Sequence, residues 1–138
     1  MRNRFRILAI APIMLALWGG APAHAAAPDS VDFADLTWTE IRDAIRQSDT
    51  GARIGGEEFL IIFPCTRLRD AYTVMERIRQ RLAETVLPFT ERRVTFSGGL
   101  TDWHPGDTPS SMLMRADKLL YEAKVSGRDR LLLSQEEA

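Results

Sequence analysis

The sequence predicts an α+β fold with one sheet covered by helices. Two glycines separate strand-like runs within residues 53–63, which reads as a hairpin. Three stretches carry apolar residues at helical spacing. Short apolar runs lie between and after the last two of these, giving the order helix, hairpin, helix, strand, helix, strand.

The first helix is expected over Thr37 to Ser48, where Trp38, Ile41, Ala44 and Ile45 fall on one face and Thr50-Gly51 marks the stop. Arg53-Ile54 leads into Gly55-Gly56. Phe59 to Phe63, ended by Pro64, is apolar enough to be a strand buried on both faces. Leu68, Ala71, Tyr72, Met75, Ile78 and Leu82 mark a long helix from about Arg67 to Val86. Val94 to Ser97 reads as a strand running into Gly98-Gly99. Thr108-Pro109 is a helix start, with Thr as cap and Pro in the first turn. Leu113, Ala116, Leu119, Leu120 and Ala123 form the expected apolar face of that helix, and Gly127 is its stop. Leu131 to Leu133 is a last short strand.

The N-terminus has the layout of an export signal over residues 1–25. Arg2, Arg4 and Arg6 precede an apolar run from Ile7 to Trp18, and Ala23-His24-Ala25 is a small-x-small cleavage pattern. The run is short for a membrane span. It predicts cleavage or a weak anchor, with the domain on the periplasmic side; the domain stays cytoplasmic if the signal does not function. Residues 26–36 read as linker and residues 37–138 as the domain. Without residues 1–25 the chain holds 15 basic and 19 acidic groups, a net charge of about −4. No basic surplus is left to hold a nucleic-acid backbone, so no nucleic-acid partner is expected. The single Cys65 cannot form an internal disulfide, and one Cys with two His makes no Cys/His metal cluster. Cys65 is expected to be a small buried side chain.

Chemistry concentrates at Gly55-Gly56-Glu57-Glu58-Phe59. Glycines allow a tight turn and close approach of a phosphate. Adjacent carboxylates repel unless a cation neutralises them, and Mg²⁺ prefers such oxygen ligands together with substrate phosphates. Taken alone, the pentapeptide is as well explained by a glycine turn with solvated acids.

Three blocks add specificity. Arg46 to Phe59 (Arg46-Gln47-Ser48-Asp49-Thr50-Gly51-Ala52-Arg53-Ile54-Gly55-Gly56-Glu57-Glu58-Phe59) resembles the signature of the GGDEF family of diguanylate cyclases. Val94-Thr95-Phe96-Ser97-Gly98-Gly99 resembles the family's Ser-x-Gly strand, and Arg115 to Arg128 is similar to its closing helix. The resemblance covers about Trp38 to Leu133. It implies a nucleotide-cyclase, palm-like domain with a ferredoxin-like βαββαβ core. It also implies synthesis of cyclic di-GMP and two pyrophosphates from two GTP molecules, with Mg²⁺, by two domains meeting face to face as a homodimer. By motif match, Glu57 is expected to ligate the metal and Glu58 to stand by the reacting phosphate or the attacking hydroxyl. Gly55 and Gly56 are expected to admit the substrate, and Lys124 and Arg128 to hold the triphosphate. Their spacing of four is expected to place both near one helix face at its C-terminal end. Arg46-x-x-Asp49 matches the inhibitory cyclic di-GMP site, with Arg77 completing it. Guanidinium forks suit both phosphate and guanine edges.

The family's first half does not appear in the sequence. That half bears a strand with an Asp-rich segment, the second metal carboxylate and the guanine readers. The family fold places this strand at the centre of the sheet, between the hairpin and the Val94–Ser97 strand. The expectation is therefore a partial domain lacking its first central strand, with two strand edges facing a gap. Each buried unpaired backbone group costs about 1–3 kcal/mol, and several of them rival a domain stability of roughly 5–15 kcal/mol. Three readings follow: a cyclase inactive on its own, a cyclic di-GMP-binding module in bacterial signalling, and a non-functional gene remnant, such as the joined ends of a longer sensor.

Overall fold

The structure, a computed structural model of the 138-residue chain, describes residues 6–10, 33–55, 57–85 and 94–135. The elements in order are β1 (Arg6–Ile10), α1 (Phe33–Ala44), β2 (Thr50–Arg53), β3 (Phe59–Ile62), α2 (Leu68–Glu84), β4 (Gly98–Asp102), α3 (Pro109–Val125) and β5 (Leu131–Leu133). One five-stranded sheet runs in the order β2-β3-β1-β4-β5. The predicted α+β architecture is the observed one.

The expected gap between the hairpin and the next strand is filled. β1 pairs antiparallel with β3 from Ile7↔Ile62 to Ile10↔Phe59, and with β4 from Arg6↔Asp102 to Ile10↔Gly98. The backbone groups of β3 and β4 thus find partners in a segment whose composition reads as export signal. The physical reason is that a central strand needs extended, apolar backbone, which an apolar run also supplies. The segment at the centre of the sheet, Arg-Ile-Leu-Ala-Ile, brings no acid.

Two helices cover one face. Ile41 of α1 and Leu68, Ala71, Met75, Ile78 and Leu82 of α2 join Phe59, Ile61, Phe63, Val94, Phe96, Leu100 and Leu131 in one buried cluster. Each such aliphatic or aromatic side chain contributes about 1.5–3 kcal/mol by leaving water. Trp38 stacks on Phe59 with ring centroids 5.9 Å apart. The other face belongs to α3. A side chain at Gly99 would meet the Ala116 carbonyl at 2.1 Å and the Leu120 nitrogen at 2.7 Å, whereas the next residue, Leu100, joins the α1–α2 cluster. Consecutive strand residues face opposite ways, so α3 packs opposite α1 and α2.

Several boundaries differ from expectation. Gly98-Gly99 lies inside β4 and does not end a strand. Gly99 lets the α3 backbone approach the strand closely. α1 begins four residues earlier than Thr37 and ends at Ala44, and Thr50-Gly51 belongs to β2. The buried face of α3 is Met112, Ala116, Leu120 and Ala123, while Leu113 is 37% exposed. The helix starts as predicted: Thr108 accepts from the Ser111 N–H at 3.1 Å, and Ser111 Oγ accepts from the Thr108 N–H at 3.0 Å. Cys65 is exposed, not buried, in a turn with φ 52° between β3 and α2. No helix among the described residues is long and apolar enough to cross a membrane.

Candidate functional site

The hairpin carries the first part of the site. β2 and β3 pair from Thr50↔Ile62 to Arg53↔Phe59, and the Ile54 N–H donates to the Glu58 carbonyl at 2.8 Å. A Cβ on Gly55 would stand 3.0 Å from Glu58 Oε2. Glycine at 55 therefore leaves room for the Glu58 carboxylate to fold back over the turn. Glu57 and Glu58 are both exposed. Gly56 lies outside the described residues.

The donor set for Mg²⁺ is one-sided. Among the described residues no group of three or more His, Cys, Asp or Glu is gathered to hold a metal. The last residue of β1, Ile10, is level with Phe59, next to Glu58. A carboxylate on β1 or just beyond it would complete the set, but the chain holds no acid from Met1 to Pro28. Glu57 and Glu58 offer carboxylates from the hairpin side alone, and Mg²⁺ held there would take its remaining ligands from water and substrate phosphates.

The second part lies at the end of α3. Lys124 is half-buried in its last turn and Arg128 is exposed beyond it. Arg128 is not on the helix, so the predicted shared helical face does not form. The chain leaves α3 through a Schellman-type turn in which the Arg128 N–H donates to the Ala123 carbonyl at 3.0 Å. Gly127, Arg128 and Asp129 have φ of 123°, 59° and 45°. A non-glycine residue held at positive φ costs on the order of 1–3 kcal/mol, so the surroundings must hold this turn in place. Arg79 of α2 does so. Its guanidinium donates to Asp129 Oδ1 at 2.7 Å and to both Glu76 oxygens at 2.6 and 2.9 Å. The hydrogen bonds from Arg79 hold the Glu76 carboxyl below its usual pKa, and those to Glu76 raise that of Arg79.

The third part lies in the turn after α1 and on α2. Arg46 and Asp49 close a turn: the Asp49 N–H donates to the Arg46 carbonyl at 2.9 Å, and the Arg46 N–H donates to Asp49 Oδ2 at 2.8 Å. Asp49 Oδ1 is buried and receives no hydrogen bond among the described residues. Arg77 is exposed on α2, one turn from Arg81, which pairs with Glu40 of α1 at 3.1 Å. The predicted inhibitory-site residues are thus divided between the turn after α1 and the exposed face of α2.

One polar cluster escaped the sequence reading. Arg115 donates to both oxygens of Asp107 at 3.1 and 2.6 Å, to Thr101 Oγ1 at 2.6 Å and to the Asp102 carbonyl at 2.7 Å. The Arg115 hydrogen bonds, helped by the His104 N–H and the Ser111 hydroxyl, hold the Asp107 carboxyl well below the usual range. This cluster locks α3 to β4. The Glu76–Arg79 spacing was readable as a helical i,i+3 pair, but a partner fifty residues away in sequence carries no local signal.

Comparison with known proteins agrees with this layout. The family described as "Diguanylate cyclase, GGDEF domain" matches residues 37–130. The diguanylate cyclase DgcP of Pseudomonas aeruginosa is 38% identical over 94 residues, covering 67% of this chain and 14% of that protein. The active GGEEF domain of a diguanylate cyclase from Vibrio cholerae superposes with a TM-score of 0.80 at 25% identity, over 99% of this chain and 86% of that one. The GGDEF domain of DgcB from Caulobacter crescentus, in complex with c-di-GMP, gives 0.70 at 26% identity, over 94% and 78%. The chain spans 14% to 29% of the length of curated relatives that it matches at 36% to 41% identity. With the family pattern spanning two thirds of the sequence and the fold reproduced around the Gly-Gly-Glu-Glu turn, the chain belongs to the GGDEF family of diguanylate cyclases.

Proposed function

We propose that this domain binds guanine nucleotides as its family does but does not by itself convert two GTP molecules into cyclic di-GMP. One observation carries the reading. The strand beside the Glu57-Glu58 turn brings no carboxylate, nor does any residue before Asp29. Phosphoryl transfer relies on positioning and on neutralising the charge around the phosphates. Here Lys124 and Arg128 would draw the phosphates, and Glu58 would face the reacting end. Mg²⁺, when bound in family members, supplies charge neutralisation; here Glu57 would hold it without a carboxylate from β1 opposite.

What the chain keeps suits reception better than synthesis. Arg46, Asp49 and Arg77 form a set of two forks and a carboxylate. The paired sheet also weakens the remnant reading, which rested on unpaired strand edges.

The test uses the purified full chain. With GTP and Mg²⁺ it is expected to yield no cyclic di-GMP. Calorimetric titration with cyclic di-GMP is expected to show saturable binding that Arg46→Ala weakens by about tenfold or more, the loss of a charged hydrogen-bond partner. Product formation by the chain alone would overturn the inactive reading, and equal heats from both proteins would overturn the receptor reading.

A further inference from the structure

Arg79 joins two places that the nucleotide chemistry treats separately. It sits on α2 two residues from Arg77, and its side chain is only 20% exposed. Glu76 grips one edge of the guanidinium through two hydrogen bonds, which fixes the direction of the fork. The remaining Nη1 reaches Asp129 Oδ1 at 2.7 Å and lies 3.4 Å from the Asp129 carbonyl oxygen. Asp129 is the third of three consecutive residues at positive φ, and Arg128 is the second. The turn is anchored at its start by the Arg128 N–H to Ala123, and at its end by the Gly98 N–H to the Arg130 carbonyl. Arg79 holds the part between these anchors, where the backbone is least favourable for L-residues.

We propose that Arg79, acting through Asp129, is the positioning residue that keeps the Gly127–Arg130 turn, and with it Arg128, shaped to receive nucleotide phosphates. The inference rests on the reading of Lys124 and Arg128 as the phosphate arm. Its physical content is preorganisation. An arginine on a loop loses side-chain and backbone freedom when it closes on a phosphate, and a turn already held in shape loses less. A pair that merely stabilises the fold would leave phosphate affinity unchanged.

Charge makes the two roles separable. Asp129→Ala removes a negative charge beside the arm, so electrostatics alone would tighten anion binding. Loss of positioning would weaken it. The full chain is titrated calorimetrically with inorganic tripolyphosphate, with thermal melts recorded alongside. Asp129→Ala is expected to weaken binding by about tenfold despite the gain in net positive charge. Asp129→Asn, which keeps an acceptor oxygen, is expected to stay within about twofold. Arg79→Lys keeps the charge, loses the fork, and is expected to weaken binding as Asp129→Ala does. It also serves as the second variant should Asp129→Ala fail to fold. Arg128→Ala separates the layers of the argument. If wild type does not bind, or Arg128→Ala binds as wild type does, the phosphate-arm reading falls and the positioning role falls with it. If Arg128→Ala weakens binding while Asp129→Ala or Arg79→Lys binds as well as wild type, the Arg79–Asp129 pair is only structural and the proposal is overturned.

Discussion

The two strands that flank β3 make an instructive pair. β2 is joined to β3 by a five-residue connection that carries the family's most recognisable residues, and its register follows from the chain itself. β1 has the same neighbour but reaches it across about fifty residues of chain, and it carries nothing of the family's chemistry. One strand supplies function and pairing, the other pairing alone. A sheet accepts any strand that can extend and bond, because the ladder is made of backbone. Catalysis is selective because it needs particular side chains at particular points on that ladder. Fold and activity can therefore separate in a single domain.

The sharpest way to break this comparison is to remove the pairing that β1 provides. Leu8→Pro deletes a backbone N–H in the middle of the central strand, where proline is not tolerated. It is expected to cost about 3 kcal/mol or more and to turn a cooperative thermal melt into a broad or absent one. An unchanged melt by circular dichroism would mean that β1 is not holding the sheet. Next in size is Gly99→Ala on the other side of β1. Its Cβ would stand 2.1 Å from the Ala116 carbonyl, so α3 must shift. A loss of about 1–3 kcal/mol in urea unfolding is expected from such overpacking. A neutral result would show that α3 adjusts freely.

The smallest effect concerns pH. The folded-state pKa of Asp107 is depressed below its unfolded value. Its contribution is therefore fully present above about pH 4 and is lost as pH falls through the folded value. Asp107→Asn is expected to lower the melting temperature at pH 7 by a few degrees. At pH 2 the difference from wild type should be smaller. A difference that grew on acidification would contradict the assignment.

Much of this was legible because its signals are local. The hairpin, the Thr108 cap, the Gly127 stop and the apolar spacing of α2 each lie within a few residues of chain. The failures share another cause, which is that the deciding partner is distant. Gly98-Gly99 reads as a turn until α3 is laid against it. The strand at Arg6 to Ile10 is lost to view within a longer apolar run until β3 and β4 stand on either side of it. Lys124 and Arg128 suggest one helical face until Arg79 is seen holding the turn between them and β5. Met112 in place of Leu113 is a simple error of phase, since both are apolar and only the contact with the sheet chooses between them.

The placement of β1 has a consequence for the newborn chain. The strand is made first, while β4 follows roughly ninety residues later, several seconds at ordinary elongation rates. During that interval the apolar run has no sheet to join and is open to whatever recognises exposed hydrophobic segments as they leave the ribosome. A chain that lost its first residues in that interval would lose the spine of the sheet, with β3 and β4 left unpaired on the sides that β1 covers.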